Sequence, residues 1–316
     1  MHGVLTLAGE GSRMLPWSRG LRKEFLPLFA RGARGPPVLK PVANLAFETL
    51  VGAGARDLVL VVGGPDGGAT ARSFFRVDRQ LLARNRGRAE RLAETTRLYR
   101  ALTRSQVRFA QQPVPRGFGD AVLRAAPFVG SAPFLLHAAD AVLLERSPGR
   151  ILALMAALRD REELDAVLLV RRVPNPRNYG VVEGELVGRE HGFRRLRVSR
   201  MEEKPDRPRS SWAATAVYCL TSRVLTELRQ ARRESPGAEL ELTTGIVRML
   251  SAGARVEALV LDPRYGEWKS VGSPEGFVRA LRRTRRIATG ETPFLPVPGI
   301  ALPMSGRSKR TSRAPG

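Results

Sequence analysis

The chain has 316 residues, which suits one large α/β domain or two small ones and is long enough to bury a sizeable core. No apolar run reaches the roughly 18 to 20 residues of a membrane span, and the N-terminus lacks the basic and then apolar layout of a signal peptide. We therefore expect a cytoplasmic protein without membrane association. The single cysteine, Cys219, excludes a disulfide framework and a cysteine-based zinc site.

The formal net charge of +23 indicates a field that attracts phosphates, nucleic acid or an anionic membrane, without choosing among them. The basic residues are scattered along the chain and are nearly all arginines. Lysine is a compact point charge that the broad fork of arginine cannot always replace. The few lysines are therefore informative, and two of them, Lys23 and Lys204, fall in distinctive stretches.

The first part of the chain alternates short apolar runs with helical patterns. This alternation predicts strands and helices of βαβ units, and hence an α/β fold with a Rossmann-like, mostly parallel sheet flanked by helices. The predicted strands are 3–9, 57–63, 107–112, 133–140 and 165–172, and the predicted helices are 41–53, 84–102, 120–126 and 149–159.

From about position 179 the pattern changes to consecutive strands, followed by more helices. We expect a smaller mixed or antiparallel region packed on the first, in a single domain at 1–290 with halves at about 1–172 and 173–290. Residues 291–316 are rich in proline and end in a basic polar stretch, which predicts a disordered tail. The later strands are predicted at 179–185, 193–204, 212–220 and 255–261, and the later helices at 222–233, 239–251 and 274–286.

The loop directly after the first predicted strand reads Gly9-Glu10-Gly11-Ser12-Arg13. Ligands of open α/β sheets lie beyond the carboxyl ends of the strands, and glycines let backbone N–H groups approach a phosphate. The loop matches neither the dinucleotide-binding fingerprint nor a P-loop. Arg13 and the later Lys23 could bracket a polyphosphate; the alternative interpretation is a tight turn with two exposed basic residues.

The stretch GEGSRMLPWSRGLRKEFLPLF (9–29) resembles the signature loop of sugar-1-phosphate nucleotidyltransferases, most closely the uridylyltransferases that act on glucose 1-phosphate, especially those of archaeal type. The resemblance implies a nucleotidyltransferase domain, with the nucleotide half at about 1–172 and the sugar-side half at about 173–290. It implies transfer of a nucleotidyl group from a triphosphate, expected to be UTP, to a sugar 1-phosphate, expected to be glucose 1-phosphate. The similarity continues through PVLKPVANLAFETL (37–50), QQPVPRGFGDAVLRA (111–125), PFLLHAAD (133–140), PNPRNYGVVEGE (174–185), MEEKPD (201–206), GAELELTTGI (237–246) and VGSPEGFVRAL (271–281).

The first loop is assigned the triphosphate by this resemblance. Gly9, Gly11 and Ser12 are expected to bind the nucleotide, and Arg13 and Lys23 are the expected catalytic residues, which neutralise the charge of the transition state. Because two anions must meet, positioning and charge neutralisation should provide most of the catalysis.

Three further residues of the nucleotide half have expected roles. Gln112 can pair with a pyrimidine edge, since an amide offers both a donor and an acceptor, and Gly117 lets the base approach the backbone. Without the resemblance, this segment is a polar strand end and a turn. Asp140 resembles the first magnesium carboxylate of the family, so Mg²⁺ is the expected cofactor, whereas His137 is expected to be a core or supporting residue.

On the sugar side, the resemblance assigns the backbone of Gly180 and the side chain of Glu203 to the sugar hydroxyls, and Lys204 to the sugar phosphate. Three positions depart from the family pattern, one of which is an expected asparagine that is replaced within Ser210-Ser211-Trp212. Ser270 stands where a second metal-binding aspartate is usual, and Thr244 stands where another aspartate is usual. We expect Asp140 to suffice for Mg²⁺ with weaker binding, and Lys269 to replace part of the missing charge.

Three hypotheses follow. The first is an active enzyme that makes a nucleotide sugar from UTP and a sugar 1-phosphate. The second is a catalytically weak paralogue that binds a nucleotide or nucleotide sugar as a regulatory or partner subunit, since Ser270 and Thr244 depart from the pattern. The third is a nucleic-acid binder, which the net charge suggests but no recognition motif supports. A homo-oligomer is compatible with each.

Overall fold

A continuous mixed sheet organises the part of the chain that the computed structural model describes, which is residues 1–298 apart from 65, 86, 89 and 91. The strands are β1 (His2–Leu7), β2 (Pro27–Arg31), β3 (Pro37–Pro41), β4 (Asp57–Val62), β5 (Gln106–Gln111), β6 (Phe134–Ala138), β7 (Ala141–Glu145), β8 (Ala166–Arg172), β9 (Gly180–Glu190), β10 (Phe193–Glu203), β11 (Trp212–Leu220), β12 (Val256–Val260) and β13 (Gly266–Ser270). The helices are α1 (Val42–Gly52), α2 (Ala69–Phe74), α3 (Arg79–Arg84), α4 (Ala93–Thr103), α5 (Phe118–Arg124), α6 (Ala126–Val129), α7 (Arg150–Glu162), α8 (Arg223–Glu234), α9 (Leu242–Ser251) and α10 (Pro274–Ala288).

The main sheet has nine strands within those described residues, in the order β5-β4-β1-β6-β11-β8-β12-β10-β9. Strands β5, β4, β1 and β6 are mutually parallel, and β8 is parallel to β12. Strand β11 runs antiparallel between β6 and β8, so these two neighbours of β11 point the same way. The carboxyl ends of β1, β6 and β8 therefore meet at one edge of the sheet.

The predicted α/β class is confirmed, but the sheet is more mixed than the pattern indicates. The antiparallel strands do not form a region packed on the parallel one. Instead β11, from the second half, pairs with β6 and β8 of the first half and also with β9, so the two halves share one sheet. This arrangement depends on strand pairing between distant segments of the chain. An apolar run predicts a strand, but it does not identify the strand with which it pairs.

The continuous apolar runs of the central strands arise because helices cover both faces of the sheet. Along β4, Leu58, Leu60 and Val62 pack on the face covered by α1 and α7. The alternate residues Val59 and Val61 pack on the face covered by α5, α8 and α9. Burying one such side chain contributes about 1.5 to 3 kcal/mol, so the central strands form a rigid base for the loops at their ends.

Some elements differ from their predicted bounds. The polar helix predicted at 84–102 begins only at Ala93, because the chain first completes the short helix α3 and then turns at Gly87, whose φ of 86° is left-handed. Asp78 caps α3 by accepting a hydrogen bond from the Leu81 N–H at 2.9 Å. The two-stranded pairs β2–β3 and β7–β13 were not predicted, since their strands are short and carry prolines or charges.

The first part of the predicted disordered tail packs on the domain. Phe294 is only 4% exposed, and the guanidinium of Arg283 lies over its ring, 5.6 Å from the centroid. The Leu295 N–H donates to the Arg264 carbonyl at 2.9 Å. Residues 291–298 therefore pack on the domain and are not the disordered tail that was predicted to begin at 291, because Phe294 is buried there. The rest of the predicted tail, 299–316, lies outside the described residues. Among the residues that are described, no helix combines the length and the apolar character needed to cross a membrane.

Candidate active site

A cavity of about 720 Å³ opens at the edge where β1, β6 and β8 end. Such an edge is the usual ligand position in open α/β sheets. All residues predicted for the site from the sequence line this cavity: Gly9, Gly11, Ser12, Arg13, Lys23, Gln112, Gly117, Asp140, Gly180, Glu203 and Lys204. The structure thus brings segments from both halves of the chain together around one space.

The loop after β1 wraps around the side chain of Lys23. Gly11 adopts φ 71° and ψ 29°, a left-handed conformation that glycine reaches without strain, and a short 3₁₀ turn follows at Ser12–Met14. The Ser18 hydroxyl donates to the Gly11 carbonyl at 2.8 Å. A Cβ on Gly11 would lie only 3.2 Å from Cδ of Lys23, so the loop backbone and the lysine stem are in close contact.

Lys23 and Asp140 form the central ion pair of the cavity, with Nζ and Oδ2 2.9 Å apart. Burial alone lowers the pKa of Lys23, but the carboxylates of Asp140 and Glu24 outweigh it and raise the pKa. Burial alone raises the pKa of Asp140, but Lys23 and then Arg13 outweigh it and lower the pKa. Both groups are therefore charged at neutral pH.

Arg13 also lies near Asp140, next to Gly272. A Cβ on Gly272 would be 3.2 Å from Nη2 of Arg13 and 3.5 Å from Oδ2 of Asp140. Arg13 is exposed to the cavity, whereas Lys23 is buried beneath it. The Asp140 carboxylate thus lies close to two cations, Lys23 and Arg13.

Glu24, which follows Lys23 directly, is a buried carboxyl group that was not among the predicted site residues. The residue is 1% exposed, and Nε of Arg22 lies 3.5 Å from Oε2 of Glu24. Burial raises the pKa of Glu24 to about 7, although Arg22 and Lys23 oppose the shift. Glu24 therefore changes its charge near neutral pH, directly beside the Lys23–Asp140 pair.

Because the folded state binds the Glu24 proton more tightly than the unfolded chain does, ionisation of Glu24 opposes folding. This loss of stability begins above the ordinary pKa of 4.5 and is complete above about 7. We expect Glu24→Gln to gain up to about 3 kcal/mol of unfolding free energy relative to wild type between pH 5 and pH 8. Urea denaturation at both pH values measures this, with the exposed Glu10→Gln as the control. Parallel pH dependences for wild type and Glu24→Gln would contradict the assignment.

One end of the cavity is built around Gln112, which is 3% exposed and was predicted to read the base. Its Nε2 donates to the Gly117 carbonyl at 3.1 Å and to Oδ2 of Asp120 at 2.9 Å. Asp120 is itself held by Arg232 and Arg124. Since both neighbours of the amide nitrogen are acceptors, the amide oxygen is the atom of Gln112 left for a ligand. Asp120 was not among the predicted site residues.

Gly117 cannot be replaced without a shift of the backbone. Its φ is 98°, and a Cβ there would lie 2.4 Å from the carbonyl oxygen of Leu240. The close packing joins the loop before α5 to the segment before α9, where the Leu240 N–H donates to the Arg116 carbonyl at 2.8 Å. The glycine therefore brings the nucleotide half and the sugar-side half together.

The sugar-side end contains two carboxylates around one lysine. Nζ of Lys204 lies 3.3 Å from Oε1 of Glu203 and 3.5 Å from Oε1 of Glu241. Burial lowers the pKa of Lys204, but Glu241 and Glu203 outweigh it and raise the pKa. The Thr243 hydroxyl donates to Oε2 of Glu203 at 2.6 Å and fixes that carboxylate. Glu241 and Thr243 were missed because nothing in their local sequence marks a site.

Ser270 occupies the position where a second carboxylate was expected. Its hydroxyl lies 3.3 Å from the Asp140 carbonyl and accepts from the Gly272 N–H at 3.0 Å, so the side chain is used within the turn after β13. Nζ of the neighbouring Lys269 is 3.0 Å from Oε2 of Glu267. The expected compensation by Lys269 is therefore reduced, because its charge is already paired.

Asp140 provides the ligand chemistry that a hard divalent cation requires. It is ionised, about one third of its side chain is exposed to the cavity, and only one of its oxygens is bound to Lys23. No cluster of three or more Asp, Glu, His or Cys side chains suited to a metal occurs in the described part of the chain. A cation such as Mg²⁺ that is bound by one carboxylate, substrate phosphates and water fits this arrangement. His137 is fully buried in β6, and burial lowers its pKa to about 4, so it is a neutral core residue.

The chain is similar to known proteins in sequence and in fold. Residues 2–286 match the family model described as nucleotidyl transferase. A glucose-1-phosphate thymidylyltransferase of Neisseria meningitidis is 26% identical over 280 residues, covering 89% of this chain and 81% of that protein. A UTP-glucose-1-phosphate uridylyltransferase of Pseudomonas aeruginosa is 27% identical over 278 residues, covering 86% of this chain and 91% of that protein. A UTP-bound UGPase from Acinetobacter baumannii shares the fold, with a TM-score of 0.72, 24% identity and coverage of 92% of this chain and 96% of that one.

Proposed function

Because the chain belongs to the nucleotidyl transferase family, we propose that it transfers the uridylyl group of UTP to a glucose-type sugar 1-phosphate. An oxygen of the sugar phosphate forms a bond to the α-phosphorus. The bond from that phosphorus to the oxygen bridging to the β-phosphate breaks, and pyrophosphate leaves with the electron pair. The observation that carries the proposal is the Lys23–Asp140 pair, flanked by Arg13, between the base-reading and sugar-side ends of one cavity.

Charge neutralisation is the main task assigned to the phosphate end. Arg13 is exposed to the cavity and can follow the triphosphate, whereas Lys23 is buried and held in one position by Asp140. A fixed ammonium group stabilises the charge that develops on the α-phosphoryl oxygens without reorganising during the reaction. Gly9, Gly11 and Ser12 are assigned backbone contacts to the triphosphate.

The choice of base is supported by the orientation of Gln112. Its free amide oxygen is an acceptor, which complements the N3–H donor of uracil or thymine and faces an acceptor in cytosine. Gly117 lets the base lie against the backbone. Among the pyrimidines, uracil and thymine fit, and UTP is our proposal, since relatives named for uridylyl transfer and a UTP-bound UGPase align over most of the chain.

The sugar-side residues supply matching contacts for the acceptor. Glu203 is fixed by Thr243 and can accept from sugar hydroxyls, and the backbone of Gly180 lies beside it: a Cβ on Gly180 would be 3.3 Å from Oε2 of Glu203. Lys204 is more than half exposed and can exchange its carboxylate partners for the sugar phosphate.

Nucleotidyltransferases of this family generally use a divalent metal, and we assign Mg²⁺ to this enzyme with Asp140 as its protein ligand. When bound, the ion neutralises charge on the phosphate oxygens of both substrates. The protein residues keep their own tasks: Arg13 and Lys23 bind phosphate, and Lys204 orients the acceptor.

Release of pyrophosphate from UTP and a sugar 1-phosphate tests the proposal. We expect Mg²⁺-dependent release with UTP, less with dTTP and little with CTP, measured with a coupled pyrophosphate assay over four triphosphates and several sugar 1-phosphates. UTP binding without release for every acceptor would instead support a nucleotide-binding partner subunit without turnover.

Ser270→Asp tests how the enzyme manages with one metal carboxylate. We expect the added charge to lower the Mg²⁺ concentration for half-maximal activity by roughly threefold, since partly exposed charge pairs contribute about 0.2 to 1 kcal/mol. The control is Ser270→Asn, which has the same shape without the charge. Tighter Mg²⁺ binding in both variants, or in neither, would show that charge at this position is not what limits metal binding.

A further inference from the structure

A guanidinium group without an acidic partner lies on the sugar side of the cavity. Arg171 is near the end of β8 and is half-buried. Its guanidinium carbon is 4.8 Å from the ring centroid of Trp268 and 5.5 Å from that of Tyr179. The two rings pack edge to face with centroids 6.3 Å apart. Stacking on aromatic faces fixes the plane of the guanidinium and leaves its in-plane N–H groups for other partners.

Within the described part of the chain, no carboxylate neutralises this charge. No Asp or Glu oxygen of the described residues lies within 4.0 Å of the Arg171 nitrogens. Its hydrogen bond runs from Nη2 to the Tyr179 hydroxyl at 3.3 Å, and its Nε is buried without a partner. The lysines of the cavity differ, since Lys23, Lys204 and Lys269 each lie beside a carboxylate. A partly buried cation without a counter-charge is costly, unless a ligand supplies one.

The position of Arg171 identifies the ligand as the acceptor sugar. Tyr179 directly precedes Gly180, and its carbonyl accepts from the Lys204 N–H at 3.0 Å, so the stacked ring belongs to the backbone that carries the sugar-side residues. Trp268 precedes Lys269 and Ser270 on β13, at the border between the sugar side and Asp140. Arg171 therefore faces the space where the sugar lies, whereas Arg13 serves the triphosphate.

We propose that the acceptor is a sugar 1-phosphate with a second anionic group, a carboxylate or a second phosphate, and that Arg171 binds this group. The proposal rests on the proposed function and leaves its bond changes as they are. A guanidinium fork matches the paired oxygens of a carboxylate or a phosphate, and such charge-assisted contacts are stronger than those to neutral groups. The uncharged hydroxymethyl group of glucose would leave Arg171 without a counter-charge.

The experiment compares three acceptors with UTP and Mg²⁺ in the full-length enzyme: glucose 1-phosphate, glucuronic acid 1-phosphate and glucose 1,6-bisphosphate. We expect kcat/KM for one of the anionic acceptors to exceed that for glucose 1-phosphate by about tenfold or more, mainly through KM. A preference for the uronic acid identifies the group as a carboxylate, and a preference for the bisphosphate identifies it as a phosphate. Equal or better use of glucose 1-phosphate overturns the proposal, while the proposed function stands.

Two arginine variants separate recognition from fold. Arg171→Met keeps the apolar stem and should lower the ratio of anionic to neutral kcat/KM by about tenfold or more. Arg172→Met, at the exposed neighbouring position on the opposite face of β8, should keep the wild-type ratio. If Arg171→Met does not fold, Arg171→Lys, which loses the fork but keeps the charge, should show a smaller decrease. An unchanged ratio in the folded Arg171 variant overturns the assignment, and no pyrophosphate from any acceptor overturns both this inference and the proposed function.

Discussion

Lys23→Met is expected to lower kcat by about two to three orders of magnitude, the usual effect of removing one fixed group that stabilises transition-state charge. Nζ of Lys23 is held 2.9 Å from Asp140, and the side chain is 8% exposed, so no neighbouring residue or water can take its place easily. Methionine keeps most of the apolar stem that packs against Gly11. We expect a smaller change in KM for UTP, because Arg13 and the loop backbone still contact the triphosphate. Steady-state pyrophosphate release at saturating sugar phosphate measures both constants.

A second buried lysine provides the matched control. Lys40 is 4% exposed, and its Nζ lies 2.8 Å from Glu48 and 2.7 Å from Glu94, away from the cavity. Lys40→Met should decrease the free energy of unfolding by up to about 3 kcal/mol, since it removes the cation from two partly buried carboxylates, but it should leave kcat near the wild-type value at a temperature where the variant is folded. If both variants lose kcat in proportion to their lost stability, the role of Lys23 is structural.

The local sequence predicts the residues of the site better than it predicts their neighbours. Residues such as Gly11, Arg13 and Asp140 follow apolar strands directly, and a parallel sheet brings the ends of its strands to one edge. Their convergence on one cavity follows from this rule. Glu241 and Arg171 reach the same cavity only through pairings and packing between distant segments, and no spacing in the sequence records such contacts.

The fold itself shows the same division. The main-sheet strands of the first half were predicted close to their observed bounds, because two-sided burial gives them continuous apolar runs. The insertion of β11 between β6 and β8 could not be predicted, since this strand of nine residues comes from the second half of the chain and pairs with two strands of the first half. The burial of Phe294 likewise depends on Arg283, which lies in the preceding helix. The prolines and basic polar residues of 291–316 led to the prediction of a disordered tail there.

Asp140→Asn is expected to lower kcat/KM at fixed Mg²⁺ by about three orders of magnitude, or about 4 kcal/mol. Asparagine keeps the shape and can still accept a hydrogen bond from Lys23, so the change removes one negative charge and little else. That charge has two opposing effects on UTP. It holds the cation that turnover requires, and it repels the triphosphate when no cation is present.

These two effects give the variant a signature that a loss of structure cannot produce. Without metal, Asp140→Asn should bind UTP roughly threefold to tenfold more tightly than wild type, since a like charge a few ångströms away contributes about 1 kcal/mol. With Mg²⁺, the same variant should lose most of its turnover. Isothermal titration with and without EDTA measures the first effect. Asp165→Asn is the control, because Asp165 binds Arg255 and Arg223 just before β8, remote from the cavity, and this variant should change neither property. Weaker metal-free binding of UTP by Asp140→Asn would mean that the carboxylate acts by holding Lys23 in place.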